Sequence, residues 1–211
     1  MSAMQLIDES AIIWSAPADQ RADRPLLVLL HGYGSHEGDL FGLSPHLPLQ
    51  PVIASVRAPL RAGPGYAWYG LEGATPASRS EGADAAARGL LQWLDGVPAA
   101  SVGLLGFSQG GAMSIHLMRH APERFAFAVS LAGFVVRGEA PADDRLAAIA
   151  PPVFWGRGTH DTVIPDAFVT DTQNWLPRHS TLTERIYEGL GHSVSEAELA
   201  DVLTFLRAQY T

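Results

Sequence analysis

Val102-Gly103-Leu104-Leu105-Gly106-Phe107-Ser108-Gln109-Gly110-Gly111-Ala112, running on through Met113 to His120, reads as a strand that turns at once into a helix. The opening apolar run does not alternate with polar residues. Both of its faces must therefore be covered, which is the mark of a parallel sheet lying between helices. Gly106, Ser108 and Gly110 form a G-x-S-x-G pattern at the junction. Such a turn holds a serine in a strained conformation with its hydroxyl exposed, and the glycines keep Cβ atoms out of the space where strand and helix almost touch.

The same grammar extends on both sides. Leu26 to Leu30 and Val52 to Val56 lie upstream; Phe125 to Leu131 and Val153 to Trp155 lie downstream, and all are short apolar runs. Leu182 to Tyr187 is more polar and suits an edge strand, and Ile12 to Trp14 adds a short piece near the N-terminus. Helices fill the intervals. Ala87, Leu90, Leu91 and Leu94 share one face of a helix over roughly 82 to 95. Leu199, Val202, Leu203 and Leu206 repeat that spacing behind a capping box of Ser195 and Glu198, and Pro165 opens another helix over 165 to 176. Strands alternating with helices specify an α/β fold with a mostly parallel central sheet and helices on both faces. The Pro- and Gly-rich stretch from Pro59 to Pro76 reads as a long surface loop, because the alternation resumes after it.

Composition narrows the function classes. The 211 residues are 47% apolar and 17% charged, which fits one globular domain spanning 1–211. A net charge of −8, with arginine as the sole strong base, disfavours nucleic acid and anionic membranes as partners. The absence of cysteine excludes disulfides, thiolate metal sites and a thiol nucleophile. No window approaches a membrane span, and Met1 to Ser15 lacks the basic and apolar regions of a signal peptide, so a soluble, cytoplasmic protein is expected.

In parallel α/β sheets, function collects beyond the carboxyl ends of the strands. Ser108 stands at one such end as candidate nucleophile, with the Gln109 N–H at a helix N-terminus facing a developing oxyanion. His31-Gly32-Tyr33-Gly34 follows the Leu26–Leu30 run, and its glycines let a second N–H, that of Tyr33, turn toward the reacting carbonyl. His31, where that strand ends, is read as a structural histidine. Asp161 follows the Val153 run on a loop suited to an acid that orients a histidine, whereas Asp166 and Asp171 fall in the next helix. His192 in Gly191-His192-Ser193 follows the edge strand and is the candidate base, in preference to His160 and His179. The order Ser108, Asp161, His192 is that of α/β-hydrolases. His116 and His120 sit four apart on a helix but lack the glutamate of a zincin motif, and are read as buried or capping histidines. Trp68-Tyr69 suits either a pocket wall or a pin for its loop.

Together these residues resemble the phospholipase/carboxylesterase family of α/β-hydrolases, which includes acyl-protein thioesterases. The resemblance rests on Leu30 to Gly34, Arg57-Ala58-Pro59 with Trp68-Tyr69, Gly106 to Ala112, Asp161 to Pro165, and Gly191-His192. It implies an α/β-hydrolase fold without a cap domain. It also implies a catalytic triad of Ser108, Asp161 and His192, with Tyr33 and Gln109 as oxyanion residues. The short segments Trp68 to Gly106 and Phe134 to Val153 make the bacterial carboxylesterase members the closer likeness. The expected activity is hydrolysis of small, uncharged carboxylic esters by a monomer or homodimer, with Trp68, Phe134 and Val163 as substrate walls beside Tyr33. No cofactor and no metal are expected. A lysophospholipase or acyl-protein thioesterase is the alternative, and a non-catalytic binding protein on the same fold a further one.

Overall fold

The computed structural model describes residues 4–71 and 73–210. Along the chain come β1 (Ile13–Trp14), β2 (Leu26–Leu30), α1 (Gly38–Phe41), β3 (Val52–Val56), β4 (Leu60–Ala62) and β5 (Gly65–Ala67). Then follow α2 (Pro76–Asp95), β6 (Val102–Phe107), α3 (Gln109–His120), β7 (Phe127–Leu131) and α4 (Asp143–Ile149). The last elements are β8 (Pro152–Gly158), α5 (Asp166–His179), β9 (Thr181–Tyr187) and α6 (Glu196–Gln209).

Seven strands form one sheet in the order β1-β3-β2-β6-β7-β8-β9. All neighbours are parallel except β1, which runs antiparallel to β3. Every residue of β2 and β3 is buried, because successive side chains enter cores on opposite sides of the sheet. Leu26, Val28 and Leu30 join Leu90 and Leu94 of α2 and Met113 and Leu117 of α3 on one side. Leu27 and Leu29 join Leu40 of α1 and Val202 and Leu206 of α6 on the other.

Two expectations change. The helix placed at roughly 82 to 95 begins at Pro76, with Thr75 as its cap and its Oγ1 accepting from the Ser78 N–H. The stretch before it is no plain loop: β4 and β5 pair as an antiparallel hairpin, turned by Gly63 at φ +58°. That hairpin is stitched to the loop after β2, since Gly34 N–H donates to Tyr66 O and Tyr66 N–H to Ser35 O, each at 2.8 Å. The hairpin therefore delivers the next two residues, Trp68 and Tyr69, into the protein, where both are buried.

Candidate active site

The β6–α3 turn is built by exclusion of side chains. A Cβ on Gly106 would lie 2.1 Å from the carbonyl oxygen of Gly110, and one on Gly110 would lie 1.8 Å from that of Leu30. Both distances are impossible for real atoms, so α3 can start this close to β6 and β2 only with glycine at both positions. Ser108 takes φ +54° and ψ −116°, a conformation that costs a non-glycine residue about 1–3 kcal/mol and persists only when its surroundings hold it. What holds it is its own N–H, which donates to Leu131 O on β7 at 2.8 Å.

Three strand ends meet at its hydroxyl. His192 Nε2 lies 2.9 Å from Ser108 Oγ, and His192 Nδ1 lies 2.7 Å from Asp161 Oδ2. The carboxylate can only accept, so Nδ1 carries the ring proton and Nε2 presents a lone pair to the serine hydroxyl. The other oxygen of Asp161 accepts from the N–H groups of Val163 at 2.8 Å and Ile164 at 3.1 Å, which fixes the carboxylate plane. The Phe107 ring packs against the imidazole at 4.9 Å between centroids. The structure thus brings Ser108, Asp161 and His192 together. His160, next to Asp161, is exposed, and His179 stacks on Trp175 at the far end of α5.

Gln109 follows the serine as the first residue of α3, where no preceding turn supplies a carbonyl for its N–H. Its side chain does something the sequence left unread. Oε1 accepts from Trp68 N–H at 2.9 Å and Nε2 donates to Tyr69 O at 2.8 Å, tying the segment after the hairpin to the start of α3. Gly32 lies on the opposite side, where a Cβ would come within 3.5 Å of Ser108 Cβ. His31 is buried, with Nδ1 donating to Gly32 O at 2.8 Å and Nε2 accepting from Ala58 N–H at 3.1 Å. A backbone N–H can only donate, so these contacts fix the neutral tautomer, and burial holds the His31 pKa below its ordinary value. Through these two bonds the ring ties the Gly32 end of the loop to Ala58.

A cavity of about 440 Å³ opens beside Ser108 and His192. Leu71, Phe134, Val136, Val163, Ile164 and Phe168 form its apolar walls, and Tyr33 stands at its mouth, 38% exposed. Phe134 stacks on Phe168 at 5.0 Å. Val163 is 60% exposed at the rim. Trp68, expected as a wall, lies outside the cavity: it is fully buried and its indole N–H donates to His31 O at 2.9 Å. Tyr69, one residue on, lines the cavity instead. Its hydroxyl and the Nε of Arg79 are buried without partners among the described residues, and burial raises the phenol pKa.

The sequence profile of the phospholipase/carboxylesterase family matches residues 15–210. The chain belongs to that family. Among solved structures of similar fold, the carboxylesterase of Bacillus cereus superimposes with a TM-score of 0.78 at 20% identity, over 94% of this chain and 93% of its own. The structure of esterase PE8 gives 0.72 at 30% identity, over 93% and 96%. The acyl-protein thioesterase 1 of Kluyveromyces lactis is 24% identical over 86% of this chain and 90% of its own length. Other yeast acyl-protein thioesterases match over about half of this chain and about half of their own length. The family's α/β-hydrolase fold is the one described above. None of the helices among the described residues is long and apolar enough to cross a membrane.

Proposed function

We propose that the protein is a serine carboxylesterase that hydrolyses small carboxylic esters through an acyl-enzyme. The observation that carries the reading is the unbroken line of hydrogen bonds from Ser108 Oγ through His192 to Asp161, opening directly on the apolar cavity. Ser108 Oγ attacks the ester carbonyl as His192 Nε2 takes its proton, and Asp161 steadies the imidazolium that results. The N–H groups of Tyr33 and Gln109 bind the oxyanion, each donor contributing about 3 kcal/mol to the transition state. His192 then protonates the departing alcohol. Water, deprotonated by the same nitrogen, attacks the acyl carbonyl and releases the acid and free Ser108 Oγ. Acyl transfer of this kind calls for no metal or organic cofactor.

A second reading, an acyl-protein thioesterase or lysophospholipase, draws support from the apolar walls of the cavity and the names of the yeast relatives. Hydrolysis of p-nitrophenyl acetate, butyrate and octanoate, and of thioesters of the same acids, by the wild type and Ser108→Ala separates the two. Short-chain ester turnover that vanishes in the variant is the expected result. A pronounced preference for octanoyl substrates or thioesters moves the assignment to the second reading. Equal rates in wild type and variant remove both.

A further inference from the structure

Three groups converge between α2 and α3, and none of them lines the cavity. His116 and His120 lie one turn apart on α3, and Asp84 approaches them from α2. Asp84 Oδ1 is 2.8 Å from His116 Nε2 and 3.0 Å from His120 Nε2, and the two nitrogens are 3.2 Å from each other. One oxygen and two imidazole nitrogens thus form a small triangle.

Hydrogen bonding alone serves this triangle poorly. If both rings carry the proton on Nε2, two N–H groups crowd a single carboxylate oxygen at an acute angle. If one ring does not, its lone pair faces the carboxylate. The His116 ring is buried, with only 2% of the side chain exposed, and its Nδ1 has no partner among the described residues. A cation bound by Asp84 Oδ1 and the two Nε2 atoms takes up all three facing lone pairs and removes their crowding, with Nδ1 of each ring then carrying the proton. In a tetrahedral site with ligand distances of about 2.0–2.2 Å, neighbouring ligand atoms stand about 3.3–3.6 Å apart. The observed triangle is a few tenths of an ångström tighter, a difference that side-chain rotation absorbs.

We propose that Asp84, His116 and His120 form a binding site for a divalent transition-metal ion, zinc foremost. Two imidazoles and one carboxylate are the donor set that favours zinc over calcium or magnesium, which take oxygen ligands. Asp84 is 32% exposed, which gives the ion an entrance and leaves its fourth position to water. The α3 pair forms a rigid two-point clamp, and the third ligand comes from another helix, so the ion pins α2 to α3. Pro76 and Arg79, on the first turn of α2, line the ester cavity. The ion thereby steadies that wall without touching Ser108, which lies more than two helical turns away along α3. The site does not depend on the esterase assignment.

The test uses the full chain after chelator treatment, with zinc as titrant followed by calorimetry and cobalt as a spectroscopic probe. One ion per chain is expected to bind, with tetrahedral cobalt absorption and a melting temperature raised by about 5–10 °C at saturating zinc. Asp84→Asn and His120→Ala lie at the exposed side of the cluster, and each is expected to weaken zinc binding at least ~10-fold. Ester hydrolysis by the zinc-free variants should equal that of the zinc-free wild type. Failure of the wild type to bind zinc at about 100 µM, or unaltered zinc affinity in both variants, overturns the proposal.

Discussion

Two histidine–carboxylate pairs of almost the same length occur in this molecule. His192 meets Asp161 at 2.7 Å, and His116 meets Asp84 at 2.8 Å. They differ in what surrounds each partner. Asp161 is held by two backbone N–H groups, and the second nitrogen of His192 faces a strained serine hydroxyl. Asp84 is about one-third open to solvent, and the nitrogen of His116 that meets it also meets a second imidazole. The first arrangement fixes one proton and directs a lone pair at a nucleophile. The second sets one carboxylate oxygen and two imidazole nitrogens within 3.2 Å of one another. The contact distance is thus uninformative about chemistry; the remaining lone pairs and donors decide it.

The contrast is broken most severely at the nucleophile. Ser108→Ala should lower kcat for p-nitrophenyl butyrate by at least ~10⁴-fold while the circular dichroism spectrum is retained. A residual rate within tenfold of wild type would remove Ser108 from the chemistry. The carboxylates come next, and they test the comparison directly. Asp161→Asn should cost ~10³–10⁴-fold in kcat, because an amide no longer enforces the Nδ1–H tautomer. Asp84→Asn should leave kcat within about twofold, since no reacting atom is near it.

Gln109→Ala probes how far the site depends on the segment after the β4–β5 hairpin. It leaves the Trp68 N–H and Tyr69 carbonyl buried and unpaired, a loss of about 1–3 kcal/mol of stability by urea denaturation. KM should rise as Tyr69 shifts in the cavity wall. The smallest effect belongs to Glu198, buried in the first turn of α6, whose pKa burial pushes up to about 7. A raised carboxyl pKa favours the folded state at low pH. The contribution is full below the ordinary value of 4.5 and is lost as pH rises through about 7. Glu198→Gln should therefore flatten stability between pH 5 and pH 8, by about 1–2 kcal/mol relative to wild type.

The strands and the strand-end residues were the most legible features of the sequence. Leu26–Leu30 and Val52–Val56 are observed at their expected limits because apolar runs buried on both faces have sharp ends. The first turns of α2 were invisible: Pro76-Ala77-Ser78-Arg79-Ser80-Glu81-Gly82 carries no apolar period, and its helix is set by the Thr75 cap. The hairpin escaped because its strands have three residues each. Trp68 and Tyr69 show a limit of another kind. Adjacent residues of similar size diverge to core and cavity, and the direction is chosen by Gln109, 41 and 40 positions away. The pairing of Asp84 with His116 spans 32 positions. Such ties between helices leave no periodic trace.

The strained backbone of Ser108 also governs when the enzyme comes into being. Its N–H needs Leu131 of β7, and the close approach of Gly110 needs Leu30 of β2. These strands flank β6 and are separated in the chain by about a hundred residues, so their pairing belongs to the slow, non-local phase of folding. The reactive turn has no existence as a peptide fragment or in a half-assembled sheet. During refolding, recovery of hydrolysis should lag recovery of helical signal and coincide with closure of the central strands, making the active site its own reporter of finished assembly.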